Sequence, residues 1–148
     1  MSKPLEVPFA ATLHVKDACL CLHAQRAARA LARRFDEAFR RFSITSGQFS
    51  LLMSLNRPEP PSIGAVASLL AMDRTTLTAN LKPLERRGLL TVSIDPNDRR
   101  GRRLTLTPTG MALLADALPV WIETHAAIEA GLPDANPDIL RKALLALA

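Results

Sequence analysis

Residues 95–103 read Asp-Pro-Asn-Asp-Arg-Arg-Gly-Arg-Arg, and few structures can hold such a run. Arg99, Arg100, Arg102 and Arg103 place four guanidiniums in five residues. Their mutual repulsion is unfavourable unless something anionic is near, and burying them unpaired would cost far more. Asp95-Pro96-Asn97-Asp98 and Gly101 are turn formers. Short runs of strand character flank them: Leu89–Ile94, and Arg103–Thr107, in which Leu104 and Leu106 alternate with polar neighbours. The segment therefore reads as a β-hairpin with a basic tip that can reach across phosphates or into a narrow minor groove. Asp98 is expected to pair with one arginine and orient it.

Upstream of the hairpin the period changes from two to about 3.6 residues. Ser62 is placed to cap a short helix from Ile63 to about Leu70, and Asp73 to cap another from Arg74 to about Arg87. Gly88 suits the left-handed position that ends a helix. Leu77, Leu81 and Leu84 fall on one face of the second helix and must pack inward. Its other face holds Thr75, Ala79, Lys82 and Arg86, with Thr78 at the edge. Short helix, tight turn Ala71-Met72-Asp73, helix, hairpin is the order of a winged helix-turn-helix, whose second helix enters the DNA major groove. Threonines near that helix's start suit the groove, and Lys82 and Arg86 suit the flanking backbone. Pro83 is unusual in a helix interior, because it removes the bond to the Ala79 carbonyl.

The remainder reads as helix. Residues 17–42 form one apolar stripe through Leu20, Leu31, Phe35, Phe39 and Phe42, flanked by arginines, with Asp17 as N-cap. Such a helix spans about 39 Å, more than a small domain needs. Thr45 and Gln48 have the form of a capping box for a helix ending before Arg57-Pro58-Glu59-Pro60-Pro61. Thr107 and Pro108 begin a helix to about Ala130, bent at Pro119, and a last helix covers about Pro137–Leu147. The class is mainly α (α+β).

Charge agrees with this division. The chain of 148 residues carries +5, and its parts differ: +4 over residues 1–72, +4 over residues 73–103, and −3 over residues 104–148. The basic excess is concentrated in the second helix and hairpin, as expected for a polyanion partner. With 48% apolar and 22% charged residues the chain has globular composition. Two cysteines are too few for a disulfide framework, no apolar run reaches the length of a membrane span, and the N-terminus lacks a signal-type apolar core. A cytoplasmic location is the expectation. His14, His23 and His125 have no metal-ligand spacing, and no catalytic constellation or cofactor motif is present. An enzyme, for example a thiol peroxidase using Cys21, would lack both a base and an activating site. Asp36-Glu37 reads as a solvated helix face.

The run Asp73-Arg74-Thr75-Thr76-Leu77-Thr78, then Leu81-Lys82-Pro83-Leu84-Glu85-Arg86-Arg87-Gly88-Leu89, resembles the MarR family of bacterial transcriptional regulators. So do Asp95-Pro96-Asn97-Asp98-Arg99-Arg100 and Leu104-Thr105-Leu106-Thr107-Pro108-Thr109-Gly110. The resemblance implies a winged helix-turn-helix at 45–107, joined to a helical dimerisation base built from 1–44 and 108–148. It implies a homodimer gripping a pseudopalindromic double-stranded DNA operator and released by a small aromatic or anionic effector, most simply a repressor. DNA contacts would come from Arg74, Thr75, Thr76, Thr78, Ala79, Lys82, Arg86, Asp98, Arg99, Arg100 and Arg102, with Arg100 in the minor groove and Asp98 supporting it. Phe9, His14, Arg26, Phe49, Met53 and Trp121 are the expected effector lining, apolar plus basic.

Cys21 stands where the family's organic-hydroperoxide sensors place a reactive cysteine. Those sensors support the thiolate with tyrosines, and this chain has none. Gln25 and Phe35 occupy the partner positions, so a buried, inert thiol is expected. Cys19 and Cys21, two apart on a helix, would face away from each other. A redox-sensing regulator using Cys21 is one alternative function, and a winged-helix protein-interaction module without DNA binding is another.

Overall fold

The computed structural model describes residues 5–148. Its order is α1 (Phe9–Ala18), α2 (Leu20–Ala38), a 3-10 turn (Arg40–Phe42), α3 (Ser46–Ser54), α4 (Ile63–Leu69), α5 (Arg74–Arg86), β1 (Leu90–Asp95), β2 (Asp98–Leu106), α6 (Pro108–Ala130) and α7 (Pro137–Leu147). The capping residues act as expected. Thr45 and Gln48 form a reciprocal capping box on α3. Ser62, Asp73 and Thr107 each accept a backbone N–H at the start of α4, α5 and α6. α6 runs through Pro119 as one helix.

Four expectations fail. The helix expected over 17–42 is two helices and a 3-10 turn, and helix begins earlier, at Phe9. Asp17 is not a cap but lies inside α1, where it contacts Lys16. The break falls at Cys19, whose backbone is extended (φ −69°, ψ 109°) and whose Sγ accepts the Leu22 N–H. The stretch 95–102 is mostly strand, because β2 begins at Asp98 and only Pro96 and Asn97 form the turn. Asp95 pairs with Asp98 and Ile94 with Arg102, so Arg99, Arg100 and Gly101 have no counterpart on β1 and form a bulge. Asp36 is not merely solvated: its Oδ1 accepts the Ser46 N–H at 2.7 Å and ties α2 to the start of α3.

The core gathers where α2, the helix-turn-helix and α6 meet. Phe39, Leu52, Val66, Leu77, Leu84 and Leu104 are essentially inaccessible. Phe39 stacks on Phe49, with ring centroids 4.6 Å apart. The leucine face of α5 is thus its buried face. β2 also docks beyond the hairpin: Leu104 N–H donates to the Pro61 carbonyl, and the Arg103 guanidinium donates to that of Pro60. α1, α2 and α7 contain no buried residue.

Two helix ends set the geometry of α4, α5 and the hairpin. After α5, Gly88 takes φ +71°. Its N–H bonds to the Glu85 carbonyl while that of Leu89 bonds to Leu84, which is a Schellman motif. After α4 the same motif forms, with Ala71 N–H to Ser68 and Met72 N–H to Ala67. Here the left-handed residue is Ala71, at φ +51°. Ala71→Gly removes a Cβ penalty of about 1–2 kcal/mol, partly offset by glycine's extra freedom in the unfolded chain. The expected result is a net gain of up to about 1 kcal/mol, read from the urea midpoint at unchanged slope.

Candidate nucleic-acid interface

α5 has two chemically distinct sides. Leu77, Leu81 and Leu84 are buried, whereas Arg74, Thr75, Thr78, Ala79, Lys82 and Arg86 are exposed. Asp73 fixes the first turn: its carboxylate accepts the Thr76 N–H at 2.7 Å and the Thr76 hydroxyl at 2.8 Å. Those bonds hold its pKa below the ordinary carboxylate value. Thr76, expected among the DNA contacts, therefore already uses its hydroxyl hydrogen within the cap. Arg74, Thr75, Thr78, Ala79 and Lys82 line a shallow hollow along the exposed side. A second hollow joins Arg74 and Thr78 to Ser62, Gly64 and the wing residues Asp98, Arg100, Gly101 and Arg102. The fold thus brings the first turn of α5 and the wing together. Arg86 stands at the far end of the helix, and Arg99 lies in the bulge outside both hollows.

The wing arginines divide into two kinds. Arg103 is structural. Its Nε lies 3.0 Å from Asp95 Oδ2, and Nη1 donates to the Pro60 carbonyl at 2.7 Å. Arg102 folds back, donating to the carbonyls of Arg99 and Gly101. Among the described residues, the side chains of Arg74, Lys82, Arg86, Arg99 and Arg100 make no hydrogen bond or ion pair within the chain. Asp98 does not pair with a guanidinium as expected. Its Oδ1 accepts the Arg100 N–H at 3.0 Å and so shapes the backbone that presents Arg100. The acid that pairs with a wing arginine is Asp95, which is 8% exposed. Reasoning from the sequence missed this because Asp95 and Asp98 are equivalent by spacing. Only the hairpin register puts Asp95 beside Arg103.

The effector residues scatter. Phe49, Met53 and Trp121 line a cleft of about 370 Å³ with Ser50, Ser54, Leu69 and Leu118. His14 and Arg26 lie exposed on α1 and α2 and do not line it, and Phe9 is exposed at the start of α1. The lining is therefore apolar plus two hydroxyls, not apolar plus basic. Leu118 could have been found from the sequence, since it sits three residues before Trp121 on one helix face. Leu69 could not, because its place depends on how α4 packs. Trp121 also stacks on His125, with centroids 4.7 Å apart. Cys21 is not buried as expected but exposed, and its Sγ accepts from Gln25 Nε2 at 3.4 Å.

A winged helix-turn-helix with a bare recognition face and a basic wing defines a DNA-binding class of fold, and comparison with known proteins agrees. The MarR family model matches residues 44–101. PecS of Dickeya dadantii, an HTH-type transcriptional regulator, is 28% identical over 99 residues, covering 65% of this chain and 60% of its own. The chain thus spans about 60% of that curated relative's length. The transcriptional regulator MosR of M. tuberculosis, solved in complex with DNA, is 34% identical with a TM-score of 0.76, covering 85% of this chain and 91% of that one. BpsR of Bordetella bronchiseptica is 28% identical with a TM-score of 0.77, covering 88% and 93%. Its structure is described as the mechanism by which 6-hydroxynicotinic acid regulates its DNA binding. The chain belongs to the MarR family.

The Asp95–Arg103 contact gives a pH-dependent prediction. Asp95 is held below its ordinary pKa of 3.8 chiefly by the Asn97 N–H, then by the adjacent Arg103 guanidinium, against an opposing effect of burial. A depressed carboxylate contributes stability above its unfolded pKa and loses it as pH falls through the folded value. Asp95→Asn should therefore melt below the wild type at pH 7. The gap in melting temperature should shrink as pH drops below 3.8. A gap independent of pH would mean that the Asp95 charge contributes nothing.

Proposed function

We propose that this chain is a dimeric, sequence-specific DNA-binding transcriptional regulator, most simply a cytoplasmic repressor, released from its operator by a small effector. The observation that carries the reading is the set of cations on α5 and the wing that have no partner within the chain. Evolution of a merely soluble surface would not gather unpaired arginines on a bulge beside a helix whose other side is buried. Residues 45–107 are the DNA-binding part, with α5 in the major groove and Arg99 and Arg100 at the minor groove. Arg74, Thr75, Thr78 and Ala79 face base edges or neighbouring phosphates, Lys82 and Arg86 the backbone, and Arg102 and Asp98 shape the wing. MosR, which has been solved on DNA, supports this at 34% identity over most of both chains.

Residues 1–44 and 108–148 form the dimerisation base. α1, α6 and α7 leave Phe9, Leu13, Val15, Met111, Ile122, Ile139, Leu144 and Leu145 exposed, more apolar surface than a monomer keeps open. By length and composition α6 could cross a membrane, with mean hydropathy 1.2 over its most apolar stretch. It nevertheless packs on α2 and α3, and Asp116 and Glu123 interrupt its apolar run. A second copy of the chain fits such a surface better than lipid.

The cleft around Trp121 lies between α3 and α6, on the boundary of the two parts. An occupant there that prefers one lobe spacing shifts the population away from the DNA-binding one. Its lining suits a flat aromatic molecule held by ring packing and by Ser50 or Ser54. BpsR, described as regulated by the heteroaromatic 6-hydroxynicotinic acid, supports that class. The redox reading through Cys21 has an exposed thiol in its favour, but its hydrogen-bond partner is Gln25 and the chain has no tyrosine.

Two measurements test the reading. A duplex enriched by wild-type protein from a random pool should bind far more tightly than its scrambled form, with affinity falling steeply as salt rises. On that duplex Arg100→Ala should cost about 1–3 kcal/mol, while Lys82→Ala should reduce the salt slope by about one. Equal affinity for scrambled DNA at every salt concentration would leave the protein-interaction module as the better reading. For the effector, aromatic acids including 6-hydroxynicotinic acid should quench Trp121, the single tryptophan, and release the duplex over the same concentration range.

A further inference from the structure

The three residues that leave α5 bind both legs of the helical base. Arg87, at the C-cap, donates from Nη1 to the Ser43 carbonyl at 2.6 Å and from Nη2 to the Phe42 carbonyl at 3.2 Å. These carbonyls end the 3-10 turn after α2, where Ser43 takes the left-handed conformation (φ 54°) and the chain turns into α3. The Gly88 carbonyl accepts the Thr107 hydroxyl at 2.6 Å, and the Leu89 carbonyl accepts the Thr107 N–H at 3.1 Å. Thr107 is the cap of α6. One end of the recognition helix is thus fixed to the exit of α2 by a guanidinium fork and to the entry of α6 by a threonine. Among the described residues, Arg87 supplies the hydrogen bonds of the first link, across 44 residues of sequence. Its fork is spent on carbonyls that a helix end leaves without partners. It therefore differs from Arg86, one residue earlier, whose side chain is free among the described residues.

We propose that Arg87 is a positioning residue. It clamps the recognition helix to the base and thereby sets the distance between the two recognition helices of the dimer, without contacting DNA. The inference rests on the DNA-binding, dimeric reading above. With the clamp closed, each lobe can rotate only as a unit with α2 and α6, so half-site spacing is read stringently. With it open, the Thr107 hydrogen bonds are the polar link that remains there, and the lobe can rock on the shared apolar core. The competing assignment is that Arg87, like any cation near a recognition helix, touches a phosphate.

Arg87→Lys and Arg87→Gln separate the two. Lysine keeps the charge but loses the planar fork. The probe is the duplex selected by wild-type protein, together with versions carrying one extra base pair between half-sites, a shift of about 3.4 Å along the axis. Wild-type protein should lose about tenfold or more in affinity on insertion, the scale of a misplaced contact, whereas both variants should lose less than about threefold. The salt slope should be the same in all three proteins. A phosphate contact would give the opposite result: near-normal Arg87→Lys, a slope lowered by about one in Arg87→Gln, and spacing selectivity intact in both. That outcome, or selectivity unchanged in both variants, overturns the clamp.

A second readout needs no DNA. Spin labels at Thr91→Cys, in chains with Cys19 and Cys21 changed to Ser, should show a broader inter-subunit distance distribution when Arg87 is Lys. An unchanged width counts against the clamp even where binding is altered. If wild-type protein instead shows no sequence selectivity, the DNA-binding reading itself fails, and this is visible before any variant is made.

Discussion

The close approach of α6 to the Leu89 carbonyl fixes the rest of the molecule. That oxygen accepts the Thr107 N–H. Three residues on, Gly110 passes so near that a Cβ built there would lie 2.0 Å from the same oxygen. Only glycine allows the contact, and the constraint is packing rather than backbone torsion. The Leu89 N–H meanwhile closes the Schellman motif of α5, and its side chain is buried beside Leu84 and Leu90. One residue therefore ends the recognition helix, starts the wing and seats the first turn of the long base helix. Moving it would move the DNA-reading face, the wing and the base together.

The wing depends on a second, smaller arrangement. A bulge of three residues would be loose on its own, because it forfeits ladder bonds. Here Asp98 takes the Arg100 N–H and Arg102 holds two bulge carbonyls. Asp95 pairs with Arg103, and Arg103 anchors β2 to the Pro60–Ser62 segment. Two of the four wing arginines thus hold the loop in shape, and the other two project from it. The repulsion that makes the sequence so unusual is reduced by this division, since Arg103 is paired with Asp95 and Arg102 is turned back onto backbone carbonyls. What remains at the tip is a compact positive site held in a fixed backbone, which limits the ordering cost of binding a polyanion.

The elements whose signals are local were legible in the sequence. Thr45, Ser62, Asp73, Gly88 and Thr107 act through neighbours three or four residues away, and each does what its position implied. The leucines of α5 were legible because one face of one helix is a periodic pattern. Most of what failed was decided by strand register or tertiary packing. Nothing near Asp95 distinguishes it from Asp98 until β1 and β2 set their register. Arg87 looks like one more basic residue until the chain brings Ser43 beside it. The break at Cys19 was hidden because Lys16 and Ala18 before it and Leu20, Leu22 and Ala24 after it are good helix formers, so propensity argued for continuity. The cleft was half legible: Trp121 and Met53 fall on apolar faces, but which faces converge is a tertiary fact.

These differences in legibility follow a boundary in the molecule. The winged part is complete within one chain: its core is closed, its caps are satisfied, and its unpaired groups are cations aimed at a partner of opposite charge. The base is not complete. α1, α2 and α7 contain no buried residue, and α1, α6 and α7 leave large apolar side chains such as Phe9, Ile122 and Leu145 open. Burial of apolar surface is non-directional and grows with area, whereas phosphate contacts are screened by salt. The two associations should therefore respond oppositely to ionic strength. Raising salt weakens the hold on DNA while leaving the base assembled. On the proposed reading, a regulator built this way leaves its operator as an intact dimer, and an occupant of the Trp121 cleft needs only to bias how the winged part sits on the base.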